Sequence, residues 1–161
     1  MHTRETLLEI LAALDIASRT FDHPPVHTVE EAKAVRGKMV GAHSKNLFLK
    51  DKKGRMYLLS ALEDRQIDLK SLCARLSTKS LSFASAERLM TYLGVEPGSV
   101  TPFGVINDSE NQVTMALDAG LMEFDTVNFH PLVNTATTAL HPRDLIRFLE
   151  SCGHAPLILE L

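Results

Sequence analysis

The apolar positions of this chain change their period several times, and the changes mark its elements. Leu7, Leu8, Ile10, Leu11 and Leu14 recur at helical spacing behind Thr3, a suitable N-cap, so a helix is predicted from residue 3 to about 17. His23-Pro24-Pro25 then enforces extended backbone, because a residue before proline avoids the helical region. Thr28-Val29-Glu30-Glu31 has the form of a capping box and opens a short helix that Gly37 can end. Asn46-Leu47-Phe48-Leu49 and Met56-Tyr57-Leu58-Leu59 read as strands around Asp51-Lys52-Lys53-Gly54-Arg55, whose glycine suits a hairpin turn. Helices are predicted around Leu69–Leu76 and Ala86–Leu93, the second stopped by Gly94.

From Gly98 the pattern turns to β and loop. Val105-Ile106 is a short apolar run ending at Asn107-Asp108, and Val113–Leu117 and Thr126–Phe129 read as strands. Pro142 and Gly153 bracket a helix with Leu145, Ile146 and Leu149 inward, and Pro156–Leu159 has the composition of a last strand. Helices and strands interleave without strict β-α-β alternation, which favours an α+β (mixed α/β) domain.

The 161 residues suit one domain over 1–161, and neither repeats nor a linker divide them. Apolar content of 45% and charged content of 23% are ordinary for a soluble globular chain. Leader-like and membrane-length apolar segments are absent, so a cytoplasmic protein with no membrane partner is expected. Cys73 and Cys152 each sit in an apolar helical pattern and form no C-x-x-C pair. They read as inert thiols in a reducing compartment, although sequence leaves a disulfide between them open.

Charge changes the picture. The net value of −3 argues against a DNA partner, yet Lys33 to Arg55 holds eight basic residues and one acid. That window carries +7 in 23 residues and leaves −10 for the remainder. Such asymmetry points to a local anionic partner. Lys50, Lys52 and Lys53 also have a plain structural use, since lysines solvate hairpins and blunt edge strands.

Catalytic signatures are sparse. The chain lacks a G-x-S-x-G elbow, a P-loop, H-E-x-x-H and G-x-G-x-x-G. Ser44-Lys45 is no dyad if it leads into a strand, because neighbouring side chains leave opposite faces. Among seven histidines, His23 and His27 have helical ligand spacing, but Pro24-Pro25 opposes a helix there, so no metal is expected. His141 and His154 belong to a helix start and its exit. Three segments keep chemical interest. Gly98-Ser99-Val100-Thr101-Pro102-Phe103-Gly104 is either an ordinary turn or a loop whose N–H groups meet an oxyanion. His130, where a strand must end, is either a hydrogen-bonded structural histidine or a pocket residue. Lys45-Asn46 begins an apolar strand within the basic window, where a lysine can reach a phosphate.

Four segments in order resemble the prolyl-tRNA editing family, the YbaK/ProX-like aminoacyl-tRNA deacylases. They are His23–Ala32, Lys45–Leu49, Gly98–Gly104 and Phe129–Asn134, and the similarity spans roughly residues 5–160. The G-x-x-x-P loop and the F-H-P-L-V-N segment are most similar to the free-standing branch that acts on alanyl-tRNA(Pro). His27 stands where that group more often carries an aromatic residue, outside the positions assigned to catalysis. The resemblance implies a curved mixed sheet that forms a pocket, surrounded by helices. It further implies trans-editing: hydrolysis of the ester between a wrong amino acid and the terminal adenosine of tRNA, with no cofactor.

By the same resemblance Lys45 contacts the terminal nucleotide and His130 positions or selects the aminoacyl group. Asn46, Gly98, Ser99, Val100, Thr101, Pro102 and Asn134 complete the expected substrate-binding set. The expected partner is the acceptor end of mischarged tRNA(Pro), with prolyl-tRNA synthetase as a further candidate. Residue chemistry is compatible, since an activated ester needs a positioned water and oxyanion donors rather than a covalent nucleophile. A non-catalytic module that senses aminoacyl-tRNA or an amino acid with the same pocket is the alternative. A histidine-based metallohydrolase is a third reading.

Overall fold

The computed structural model describes residues 1–25, 30, 31, 34 and 39–161. The predicted capping box at Thr28 and the stop at Gly37 lie outside the described residues, as do Lys33, Arg36 and Lys38 of the basic window. Helix α1 (Arg4–Ala13) opens on a full capping box between Thr3 and Thr6. It ends earlier than its apolar spacing suggests. Asp15 takes a left-handed φ of 57°, and the Ile16 N–H returns to the Leu11 carbonyl. The turn sends the chain into β1 (Ser18–Asp22), a strand that the sequence pattern does not announce.

The predicted hairpin forms and is longer than expected: β2 (Ala42–Lys50) runs antiparallel to β3 (Met56–Leu62). Helix α2 (Leu69–Arg75), the two-residue β4 (Ser82–Phe83) and α3 (Ala86–Leu93) follow. Gly94 caps α3 at φ 67°, as its position implies. Tight 3₁₀ turns cover Pro97–Ser99 and Pro102–Asn107, so the apolar run at Val105-Ile106 is helical rather than extended. The order continues with β5 (Val113–Asp118), β6 (Val127–Phe129), β7 (Ala136–Leu140), α4 (Pro142–Ser151) and β8 (Leu157–Leu159).

Among the described residues these strands make one mixed sheet in the order β1-β7-β6-β2-β3-β5-β8, with β4 on β2. The α+β expectation holds. Alternation along the central strand divides the core into two. Met56 and Leu58 face Leu7, Leu11, Leu93, Phe103 and Phe148, whereas Tyr57 and Leu59 face Leu72, Leu76 and Leu81 under α2. The fully buried Phe103 meets Phe129 and Phe148 edge-on, at centroid distances of 6.1 and 5.4 Å.

The sheet opens at one place. Strand β2 pairs in parallel with β6 only at Ala42 and His43, then meets β4 at Leu49 and Lys50. Between these contacts the strand has β3 on one side and no ladder partner on the other, among the described residues. Close approach at the start of this fork depends on Gly41. With φ at 100°, a Cβ there would stand 2.5 Å from the Thr126 carbonyl oxygen. Asn128 then clamps the fork. Its side-chain amide donates to the Val40 and Ala42 carbonyls, both at 3.0 Å, and Ser44 Oγ donates to its backbone carbonyl at 3.1 Å.

Asn128→Leu keeps the volume but leaves two strand carbonyls without their donor. It should cost about 1–3 kcal/mol, the usual penalty for an unsatisfied buried polar group. Equilibrium denaturation in urea checks this, and an unchanged midpoint would show that the clamp adds nothing.

Candidate active site

A cavity of about 260 Å³ sits in the opening beside β2. Lys45 and Asn46 enter from β2, His130 from the end of β6, and Gly98 and Val100 from the loop after α3. Five of the residues expected to act therefore share one cavity. Ser99, Thr101 and Pro102 are buried behind it instead, where Thr101 Oγ1 accepts the Phe103 N–H and starts the 3₁₀ turn. Asn134 leans on the loop from outside, with its amide nitrogen 3.4 Å from where a Gly98 Cβ would be. Gly104 has a packing use, because a Cβ there would come within 3.0 Å of the Leu93 Cβ.

Local structure fixes the loop. Pro97 starts a 3₁₀ turn in which the Ser99 N–H reaches the Glu96 carbonyl. Gly98 and Val100 both line the cavity, so this loop brings backbone N–H donors to its wall. Backbone donors there suit an oxygen that gains negative charge. Opposite them, Asn46 is held by its neighbours: Ser60 Oγ donates to its amide oxygen at 2.6 Å, and its nitrogen lies 3.4 Å from Ser44 Oγ. Ser44 is thus engaged by Asn128 and Asn46 rather than by Lys45.

His130 has a defined tautomer. Its Nδ1 lies 2.9 Å from the Ala136 carbonyl, which can only accept, so Nδ1 carries the proton. The neutral ring then keeps a lone pair on Nε2. Burial pushes its pKa below the ordinary histidine value; the Ala136 hydrogen bond opposes the shift and the neighbouring His23 adds to it. Leu132, two residues on, holds a left-handed φ of 69° that costs a non-glycine residue about 1–2 kcal/mol. Its buried side chain offsets that cost and returns the chain to β7.

Several cavity residues were not assigned to the site from sequence. His23, in the first of the resembling segments, is one: Nδ1 donates to the Pro24 carbonyl and Nε2 accepts from Thr137 Oγ1, each at 2.9 Å. Its ring centroid lies 6.3 Å from that of His130. Only the β1–β7 pairing, which aligns Asp22 with Ala136, brings these distant segments together. His43, Ser44, Glu63, Asn128, Phe129 and Thr137 also line the cavity. The remaining described histidines include His141, which caps α4, and His154, buried against Asp108 at 2.8 Å. No group of three His, Cys, Asp or Glu side chains could hold a metal among the described residues. Both cysteines are free, and among the described residues no helix is long and apolar enough to cross a membrane.

The family model for the aminoacyl-tRNA editing domain matches residues 23–148. The chain belongs to this family. It is 42% identical over 162 residues to a bovine prolyl-tRNA synthetase associated domain-containing protein 1, covering 98% of this chain and 94% of that protein. It is 38% identical to the prolyl-tRNA editing protein ProX of Acetoanaerobium sticklandii, covering 100% and 99%. The crystal structure of a candidate trans-editing enzyme for prolyl-tRNA synthetase superposes with a TM-score of 0.74 at 20% identity, over 100% and 99% of the two chains, and shares the fold. The family makes this chain an aminoacyl-tRNA deacylase, an editing enzyme.

Because its pKa is lowered, neutral His130 contributes its full stability above the ordinary value near 6.5, and that contribution is lost as pH falls through the lowered value. NMR titration should show His130 protonating below the ordinary histidine midpoint, with the Nδ1–H tautomer above it. A midpoint at or above the ordinary value would refute this environment.

Proposed function

We propose that this protein hydrolyses alanyl-tRNA(Pro), releasing alanine and leaving prolyl-tRNA(Pro) intact. The observation that carries the reading is that Gly98 and Val100, with their backbone N–H groups, line the same cavity as Lys45, Asn46 and His130. Water attacks the ester carbonyl carbon, and the developing oxyanion is held by these two donors. The tetrahedral intermediate collapses by breaking the bond to the ribose oxygen, which leaves with a proton. The vicinal ribose hydroxyl orients the attacking water. The His130 Nε2 lone pair accepts a hydrogen bond from the substrate amino group and fixes the acyl end.

Lys45 supplies a point charge to the terminal phosphate, while Asn46, preset by Ser60, hydrogen-bonds the ribose. Ser99, Thr101 and Pro102 hold the donor loop in shape, and Asn134 supports it at Gly98. Selectivity is steric in this reading: the acyl end fixed at His130 leaves room for a methyl side chain and not for the bulkier proline ring. Water attack of this kind requires no metal. The names of the relatives support a prolyl-tRNA context and prolyl-tRNA synthetase as an associated protein. The whole chain serves as one editing domain in the cytoplasm.

Release of labelled alanine from alanyl-tRNA(Pro), beside the prolyl and cysteinyl forms and with chelator present, tests the reading. Alanine should be lost fastest, and Lys45→Ala should lower kcat/KM by about 10–100-fold, the worth of a charge-assisted hydrogen bond. His130→Ala should change the rate or the alanine-over-proline preference. Equal turnover of alanyl and prolyl forms, or full activity in the folded lysine variant, would overturn the assignment.

A further inference from the structure

A second concave surface lies at the far end of β2. The groove measures about 510 Å³ and is lined by Lys52, Lys53 and Arg55 from the hairpin turn and by Thr78 and Lys79 beyond α2. The acid in its lining is Asp51, which is buried and already occupied. Thr78 Oγ1 donates to the Asp51 carboxylate at 2.6 Å, Arg55 Nε at 2.7 Å, and the Lys53 and Arg55 N–H groups at 2.9 Å each. Those contacts, Thr78 foremost, hold the carboxyl well below the usual range, so Asp51 neutralises Arg55 and little else. Lys52, Lys53 and Lys79 are exposed and pair with no carboxylate among the described residues.

Three uncompensated ammonium groups thus converge on one groove in a chain whose net charge is −3. Two come from a hairpin and one from a loop distant in sequence, and the buried Asp51–Thr78 bond ties the two segments together. The groove shares a sheet face with Lys45, which reaches the cavity from that side of the opening. Leu47 and Leu49 pack on Leu72 and Leu76 beneath α2, so strand alternation sends Lys45 out on that same face. The six-residue step from Lys45 to Asp51 spans roughly 20 Å at the usual rise of a strand. That separates an aminoacyl site from the duplex by a few unpaired nucleotides.

We propose that this groove binds the phosphodiester backbone of the tRNA acceptor stem while the charged 3′ end occupies the cavity at Lys45. The proposal rests on the deacylase reading and extends it from the terminal nucleotide to the stem. Lysine ammonium groups act on phosphate as point charges, so the groove supplies affinity and orientation without reading bases.

The test compares wild type with the triple variant Lys52→Gln, Lys53→Gln, Lys79→Gln, all at exposed positions. On full-length alanyl-tRNA(Pro) the variant should raise KM about tenfold or more with kcat retained. The slope of log affinity against log salt should fall by about 2–3, near 0.9 per lost phosphate contact. Hydrolysis of an alanyl ester of a CCA trinucleotide, which has no stem, should be unchanged. Equal losses on both substrates, or none on either, would overturn the proposal. Binding of uncharged tRNA is measured in parallel, so the groove is judged even if wild type deacylates neither substrate. Unchanged tRNA affinity in the triple variant would then refute the groove, whereas absent turnover would refute the deacylase reading.

Discussion

The arrangement depends on how β2 parts from β6. Among the described residues, ladder pairing between β2 and β6 is confined to Ala42 and His43. Asn128 makes so short a join hold, because its side-chain amide substitutes for ladder donors to Val40 and Ala42. Its own amide oxygen is buried and meets no partner among the described residues, which marks this side chain as placed for its two donors. Beyond the clamp the strands diverge, and the gap is the cavity that Lys45, Asn46 and His130 share. A sheet zipped through Phe48 on that side would have a continuous ladder and no site.

The same economy governs the chemistry around the gap. A single carbonyl, Ala136 O, selects the tautomer of His130, and burial keeps the ring neutral where an ordinary histidine begins to protonate. Across the cavity the donor loop rests on Phe103, whose ring is locked between Phe129 and Phe148. Donors and acceptor are therefore set by backbone and core packing rather than by mobile polar side chains, which suits a site that stabilises charge without reorganising. The basic groove follows a similar rule, with a buried carboxylate spent on holding cationic segments in place.

Elements with local determinants were legible in the sequence. Caps at Thr3 and Gly94, proline at the start of α4 and the glycine-containing hairpin turn each specify backbone within a few residues. Strands β1 and β7 were not, because their pairing joins segments more than a hundred residues apart and rests partly on the half-buried Thr20–Thr138 hydroxyl contact. Thr-rich pairs of this kind leave no apolar alternation to read. The site divides the same way. Lys45, Asn46, Gly98, Val100 and His130 stand in recognisable segments and meet in one cavity, whereas Asn128 joins it through tertiary pairing and His23, though in a recognisable segment, is placed there by the β1–β7 pairing. Ser99, Thr101 and Pro102 share the loop's sequence signature but are buried and do not line the cavity, a placement that spacing does not reveal.

The central claim is that the cavity between β2 and β6 receives the aminoacyl end of tRNA, with its carbonyl oxygen at Gly98 and Val100. Amide and imidazole NMR shifts on titration with a non-hydrolysable, amide-linked alanyl-adenosine test it most directly. The account predicts the largest changes at the Gly98 and Val100 amides and at His130 Nε2, with a prolyl counterpart producing far smaller ones. Saturable shifts confined to another part of the sheet, with these three groups unmoved, would contradict it.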